Sequence, residues 1–232
     1  LSEKLNIQNK SKMISADEFF AAIPMVQYHS DEPHANLSSV PLYYLSQLAA
    51  KDVKVVLSGE GADELFAGYN EYEEPTINRL YSMLPMGLRR KIRDMVKDRP
   101  HFTGKTIIMK YGQSVEERYI GQAHIMSDEQ ANDILSSKYK NPVTYRELTK
   151  PYYDKVKNLD DVTKRCYLDM NMWIVDDILL KADKITMAHS IELRVPFLDK
   201  EVWNLSTKIP VKYKVNGTTT KYVFREAAQK KI

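Results

Sequence analysis

Apolar and polar positions divide this chain into two regimes. Up to about residue 71 they predict short, mixed elements. Ser15-Ala-Asp-Glu18 has the form of a capping box and opens a helix through Phe19, Phe20 and Ile23, which Pro24 is expected to disturb. His29-Ser-Asp-Glu-Pro33 reads as a turn. Over 40–51, Leu42, Leu45, Leu48 and Ala49 recur at helical spacing and are expected to face a core. Val53, Val55, Val56 and Leu57 then form a β-branched run expected to be a buried strand, central and parallel to its neighbours. From Tyr72 onward the period is helical, near 76–84, 86–97, 114–120, 127–137 and 145–157, punctuated by Pro75, Pro85, Pro100, Pro142 and Pro151. A long amphipathic run extends from Asp160 to about Ala188. Helix, strand and a glycine-rich turn in that order are α/β grammar, so the pattern predicts an α/β portion at 1–71 and a mainly helical portion at 72–232.

The end of the 53–57 run carries the chemistry. Ser58-Gly59-Glu60-Gly61 is followed closely by Asp63 and Glu64. Small residues at the carboxyl end of a strand let a ligand approach the backbone, and in open α/β sheets that edge is where ligands bind. A helix starting near Ala62 would turn free N–H groups toward an anion. Three carboxylates facing a phosphate require a divalent cation between them, magnesium being the usual one. The spacing excludes two common nucleotide motifs. A carboxylate stands where a dinucleotide fingerprint has its third glycine, and no G-x-x-x-x-G-K-[ST] occurs. An acidic turn after a strand, with no ligand, accounts for the same letters.

A second informative stretch is 176–200. Lys181 and Lys184 share a helical face, and Asp177 precedes Lys181 by four residues, the spacing of an ion pair. Ile191, Leu193 and Val195 alternate with Glu192 and Arg194, burying one side and turning a Glu and an Arg to the other. Val195-Pro196 imposes an extended approach, and Asp199 is placed to cap the next helix. A salt-bridged helix end is the plain structural alternative.

Composition narrows the classes. At 232 residues the chain is long enough for a sizeable core. Its 34 Lys plus Arg against 31 Asp plus Glu leave a net charge of only +3, interleaved along the chain, which argues against nucleic acid. No apolar run approaches membrane-spanning length and no targeting signal is visible, so a reducing, cytoplasmic setting is expected, with no membrane partner. The single cysteine, Cys166, excludes an intramolecular disulfide and a cysteine-rich metal site, and at helical spacing with Val162, Met170 and Ile174 it reads as a packed thiol. The fifteen tyrosines read as amphipathic packing residues.

Five motifs, in order, carry a resemblance: His29-Ser-Asp-Glu-Pro33, Ser58-Gly-Glu-Gly-Ala-Asp-Glu-Leu-Phe-Ala-Gly-Tyr69, Ala182-Asp-Lys-Ile-Thr-Met-Ala188, Glu192-Leu-Arg-Val-Pro-Phe-Leu-Asp199 and Gly217-Thr-Thr-Thr-Lys-Tyr-Val-Phe-Arg225. Together they resemble the C-terminal synthetase domain of glutamine-dependent asparagine synthetases over nearly the whole chain. The resemblance implies a helix-rich α/β fold with a parallel-sheet adenine-nucleotide α-hydrolase-like (PP-loop ATPase-type) core, truncated here, and a large helical portion. It implies a ligase of asparagine biosynthesis that adenylates the aspartate β-carboxylate with ATP and magnesium. Ammonia from a glutaminase domain then attacks the acyl-adenylate. By the same resemblance Ser58 and Gly59 bind ATP, Asp63 holds magnesium, and Glu60 is catalytic, taking a proton from ammonia. Glu64, Lys184 and Arg194 are candidates for the wall of the site. The family's N-terminal glutaminase domain, its Ser-Gly-Gly-x-Asp-Ser type phosphate loop and its catalytic lysine segment lie outside this chain, so the chain alone is expected to be inactive. A homodimer is compatible with the resemblance. Two alternatives stand beside it: a related amidotransferase or β-lactam-forming enzyme acting on another carboxylate, and a helical interaction module without chemistry.

Overall fold

The computed structural model describes residues 2–73, 76–122, 124–140 and 143–231. Pro75 and Pro142, expected as helix punctuation, lie outside the described residues. Among those described, two short strands form the sheet: β1 (Val55–Leu57) and β2 (Glu192–Arg194). They run parallel, with Val55 opposite Glu192 and Leu57 opposite Arg194. The ladder is prolonged by Glu192 N–H donating to the Lys54 carbonyl and Ser58 N–H to the Arg194 carbonyl, both at 2.9 Å. Parallel strands need a crossover, and here nearly the whole helical portion forms it.

The parallel expectation for β1 holds; the buried, central one does not. The strand has one neighbour among the described residues, and Val53, Val55 and Leu57 are 43%, 41% and 73% exposed. β-branched residues specify an extended backbone, but what covers each face is settled by other elements.

The helices follow the sequence more closely at their starts than along their length. The Ala16–Ser30 helix opens with the expected capping box: Glu18 N–H donates to Ser15 Oγ at 3.2 Å, and Ser15 N–H to the Glu18 carboxylate at 2.9 Å. It runs through Pro24 and stops at Asp31, whose φ of 63° ends the helix, so the turn begins two residues later than expected. A mid-helix proline forfeits one backbone hydrogen bond, and burial of Ala22 and Val26 against Val40 and Ile185 offsets that loss. Pro151 is likewise carried inside the Tyr145–Val156 helix. The Ser39–Ala49 helix buries Val40 and Ser46, while Leu45 is 57% exposed, against the expected face. Ser46 Oγ donates to the Leu42 carbonyl at 2.7 Å, which lets a polar residue sit inside.

Asp199 caps Lys200–Lys208 as expected, accepting from Glu201 N–H at 2.8 Å. The 160–188 run is broken into Asp161–Asn171, a π-helical turn at Ile174–Leu179, and Leu180–Met187. A further helix, Lys105–Tyr111, lies between the stretches where the periodicity predicts helices.

Two buried clusters result. The smaller joins Ala22, Val26, Val40 and Ile185, so the Leu180–Met187 helix, like β2, packs with the first portion of the chain. The larger lies among the helices and includes Tyr72, Val115, Tyr119, Tyr153, Cys166 and Leu168. Cys166 is buried there, its thiol pushed up to about 12 by burial, in keeping with a packed thiol.

Candidate functional site

After β1, the chain turns at Gly59–Gly61 into the five-residue helix Ala62–Phe66. Gly61 has a φ of 87°, and a side chain there would collide with Leu198, so the turn needs glycine for both its backbone and its packing. Phe66 packs on Phe197 and Phe224, with ring centroids 6.4 and 5.4 Å away, tying this helix to the Pro196–Leu198 turn and the Tyr222–Gln229 helix. Ser58 and Gly59 line a cavity of about 420 Å³ with Ser46, Val56, Thr186 and Leu193. Apart from its chain neighbours, no atom of the described residues lies within 4 Å of where a Cβ on Gly59 would stand, so there is room beside the backbone for a ligand.

The three acids of the motif, read in sequence as one cluster, are sorted by the fold into three environments. Glu64 is buried and accepts a hydrogen bond from Tyr69 Oη at 2.6 Å; Trp173 Nε1 donates in turn to Tyr69 Oη at 3.1 Å. Burial raises the Glu64 carboxyl above its ordinary range despite that bond. Glu64 also lines a cavity shared with Cys166, Met170 and Trp203, which places it toward the helical portion. Asp63 pairs with Lys221 Nζ at 2.9 Å. A side chain on Gly68 would collide with both members of that pair, so this glycine makes room for it. Glu60 is half-buried, its N–H donates to Ser58 Oγ at 3.4 Å, and its carboxylate has no partner among the described residues.

The distant candidates divide as well. Arg194 is carried to the motif by register, beside Leu57 and Ser58, but its guanidinium is exposed and pairs with Glu192 at 2.9 Å. Lys184 pairs with Asp31, which raises the lysine and lowers the aspartate. Lys181, one turn away, is the buried one. It donates to Ser38 Oγ at 2.9 Å and is pushed down by burial, partly countered by the charges of Asp177 and Glu60. The expected Asp177–Lys181 ion pair is replaced: Asp177 accepts from Asn36 Nδ2 at 2.7 Å and lies 3.7 Å from His34 Nε2. Lys221 thus pairs with Asp63 and Lys181 senses the charge of Glu60, and neither stood among the sequence candidates. Lys221 was visible only as part of Gly217–Arg225, and nothing in the periodicity separates Lys181 from Lys184.

No group of three His, Cys, Asp or Glu side chains able to hold a metal occurs among the described residues. Magnesium at a nucleotide takes only one or two protein carboxylates, the phosphates supplying other ligands. Asp63, one-third exposed, fits that donor set.

Comparison with known proteins gives a consistent result. The family model described as Asparagine synthase matches residues 1–232. Asparagine synthetase (glutamine-hydrolyzing) 1 of Bacillus subtilis (strain 168) is 42% identical over 227 residues, covering 97% of this chain and 36% of that protein. A putative asparagine synthetase (glutamine-hydrolyzing) of Mycobacterium tuberculosis (strain ATCC 25618 / H37Rv) is 42% identical over 229 residues, covering 98% and 35%. Amidase chyE of Penicillium rubens is 26% identical over 230 residues, covering 87% and 34%. The chain spans about a third of the length of the curated relatives it matches.

Proposed function

This chain belongs to the asparagine synthase family, and from that premise we propose that it supplies one wall of an ATP-dependent site that adenylates the aspartate β-carboxylate and passes the acyl group to ammonia. The observation that carries this reading is the sorting of the acids: Glu64 is spent on structure and Asp63 has a cation, whereas Glu60 has no partner among the described residues beside an open backbone at Gly59.

A carboxylate resists attack until one of its oxygens becomes part of an acyl phosphate. Ser58 and Gly59 offer the nucleotide an uncrowded edge for that step. Asp63 would hold magnesium, which supplies positive charge to offset the triphosphate when bound. Glu60 would take the proton that ammonia releases as the carbon–nitrogen bond forms and AMP departs. The negative charges of Asp177 and Glu60 partly counter the effect of burial on Lys181 and so set a cation on the Glu60 side of the site. Ammonia would come from a glutaminase domain of the longer protein, as the names of the relatives suggest.

The test is pyrophosphate release with ATP, magnesium, aspartate and ammonia, comparing the full-length protein with residues 1–232 alone. The full-length protein is expected to turn over and residues 1–232 to show no turnover, because catalysis of this kind depends on several positioned donors acting together. Turnover by the isolated chain near the full-length rate would mean that the essential groups are misplaced here. In the full-length protein, Asp63→Asn is expected to raise the magnesium concentration needed for half-maximal pyrophosphate release, since a charged hard-oxygen ligand is lost. An unchanged magnesium dependence would remove Asp63 from the metal site.

A further inference from the structure

The helical portion contains a cavity of about 320 Å³ that the proposed reaction does not use. Its lining includes Glu71, Lys110, Arg118, Tyr119, Gln122 and His124. We propose that this cavity is an oxyanion site for a small organic molecule bearing a carboxylate or phosphate group.

Arg118 carries the argument. Its side chain is only 9% exposed, its Nε has no hydrogen-bond partner among the described residues, and the nearest carboxylate, Asp161, stands at 4.0 Å. The Tyr111 ring lies 5.2 Å from the guanidinium carbon and supplies no formal charge. The adjacent acids are already engaged: Glu116 holds Lys164 at 2.7 Å and Glu117 holds Arg90 at 2.8 Å. A buried guanidinium with so little countercharge is an unusual expense in a folded protein, and an incoming oxyanion would remove it.

Lys110 lines the same cavity and forms no ion pair among the described residues. Burial and the nearby Arg118 both push its ammonium down, as burial and Arg165 push Arg118 down. Among the described residues Glu71 is the one acid in the lining against these two cations, with Glu73 contributing negative charge from nearby. Gly121, buried with a φ of 99°, forms part of the wall, so the backbone there is set by a conformation that favours glycine. The volume exceeds that of a bare inorganic ion, which is why a small organic ligand suits it better.

The test uses the full-length protein with its nucleotide site saturated by magnesium and a non-hydrolysable ATP analogue. Inorganic phosphate and malonate are titrated separately by calorimetry. Saturable binding of either is expected, the tighter one identifying the source of the oxyanion. Lys110→Ala and Arg118→Gln should each weaken it about tenfold or more, the size of one charge-assisted hydrogen bond. Lys110 stands at the rim of the cavity and is more accessible than Arg118, so Lys110→Ala keeps the test decisive if Arg118→Gln does not fold. Absence of binding by both anions, or binding that Lys110→Ala leaves unchanged, would overturn the proposal.

Discussion

In the full-length protein, Glu60→Gln is expected to slow amide formation by about 10²–10⁴-fold, the usual range for loss of a general base. Nucleotide binding should be nearly unaffected. The substitution is close to isosteric, so it leaves the turn at Gly59–Gly61 and the hydrogen bond from Glu60 N–H to Ser58 Oγ in place. What it removes is an acceptor for the proton released when ammonia attacks. Because the Glu60 carboxylate has no structural partner among the described residues, the loss should appear in chemistry and leave stability almost unchanged. The measurement is the rate of asparagine formation at saturating ammonia, set beside ATP binding and the melting temperature. Wild-type turnover in the variant would refute the assignment. A large fall in melting temperature would recast Glu60 as a structural acid.

The second large effect concerns stability and pH. Asp169 is fully buried and accepts hydrogen bonds from Tyr72 Oη and Tyr119 Oη on one oxygen, while the other has no partner among the described residues. Burial raises its carboxyl from 3.8 to about 6, although the bonds from Tyr119 and Tyr72 oppose the shift. Below the unfolded value both states are protonated and the fold carries no penalty. Between the two values the unfolded chain releases the proton first, so the native state is progressively disfavoured. Above about pH 6 the full difference applies, about 3 kcal/mol at 1.36 kcal/mol per unit. Stability contributed by this group is therefore present below pH 4 and lost as pH rises through 6.

Asp169→Asn should abolish that dependence, because an amide oxygen can still accept from both tyrosines without ionising. The variant is expected to gain stability relative to wild type as pH rises from 4 to 7, read as the difference between their denaturation midpoints. Taking the difference cancels carboxylates such as Glu116 and Glu117, which are held below their ordinary range and slope the opposite way. A difference that stays flat across this range would show that the buried carboxyl titrates normally.

Much of this molecule is written in short stretches of sequence. The Ser15–Glu18 capping box, the Asp199 cap, the extended run ending at Leu57 and the helix beginning at Ala62 all depend on groups a few residues apart, so local stereochemistry suffices to predict them. The open space beside Gly59 is equally local in origin, since a glycine directly after a strand leaves room at its backbone. Long-range packing decided the rest. Nothing in the order Glu60, Asp63, Glu64 says that the last is claimed by Tyr69 and the middle one by Lys221, more than a hundred residues away. Helical spacing puts Lys181 and Lys184 on one face, but only the neighbouring helices decide that the first is buried and the second reaches Asp31. The persistence of helices through Pro24 and Pro151 has the same origin. So has the gathering of Tyr72, Tyr119 and Asp169 into one buried group. Periodicity reports which residues can share a surface, and the free energy of burying that surface is settled only by what packs against it.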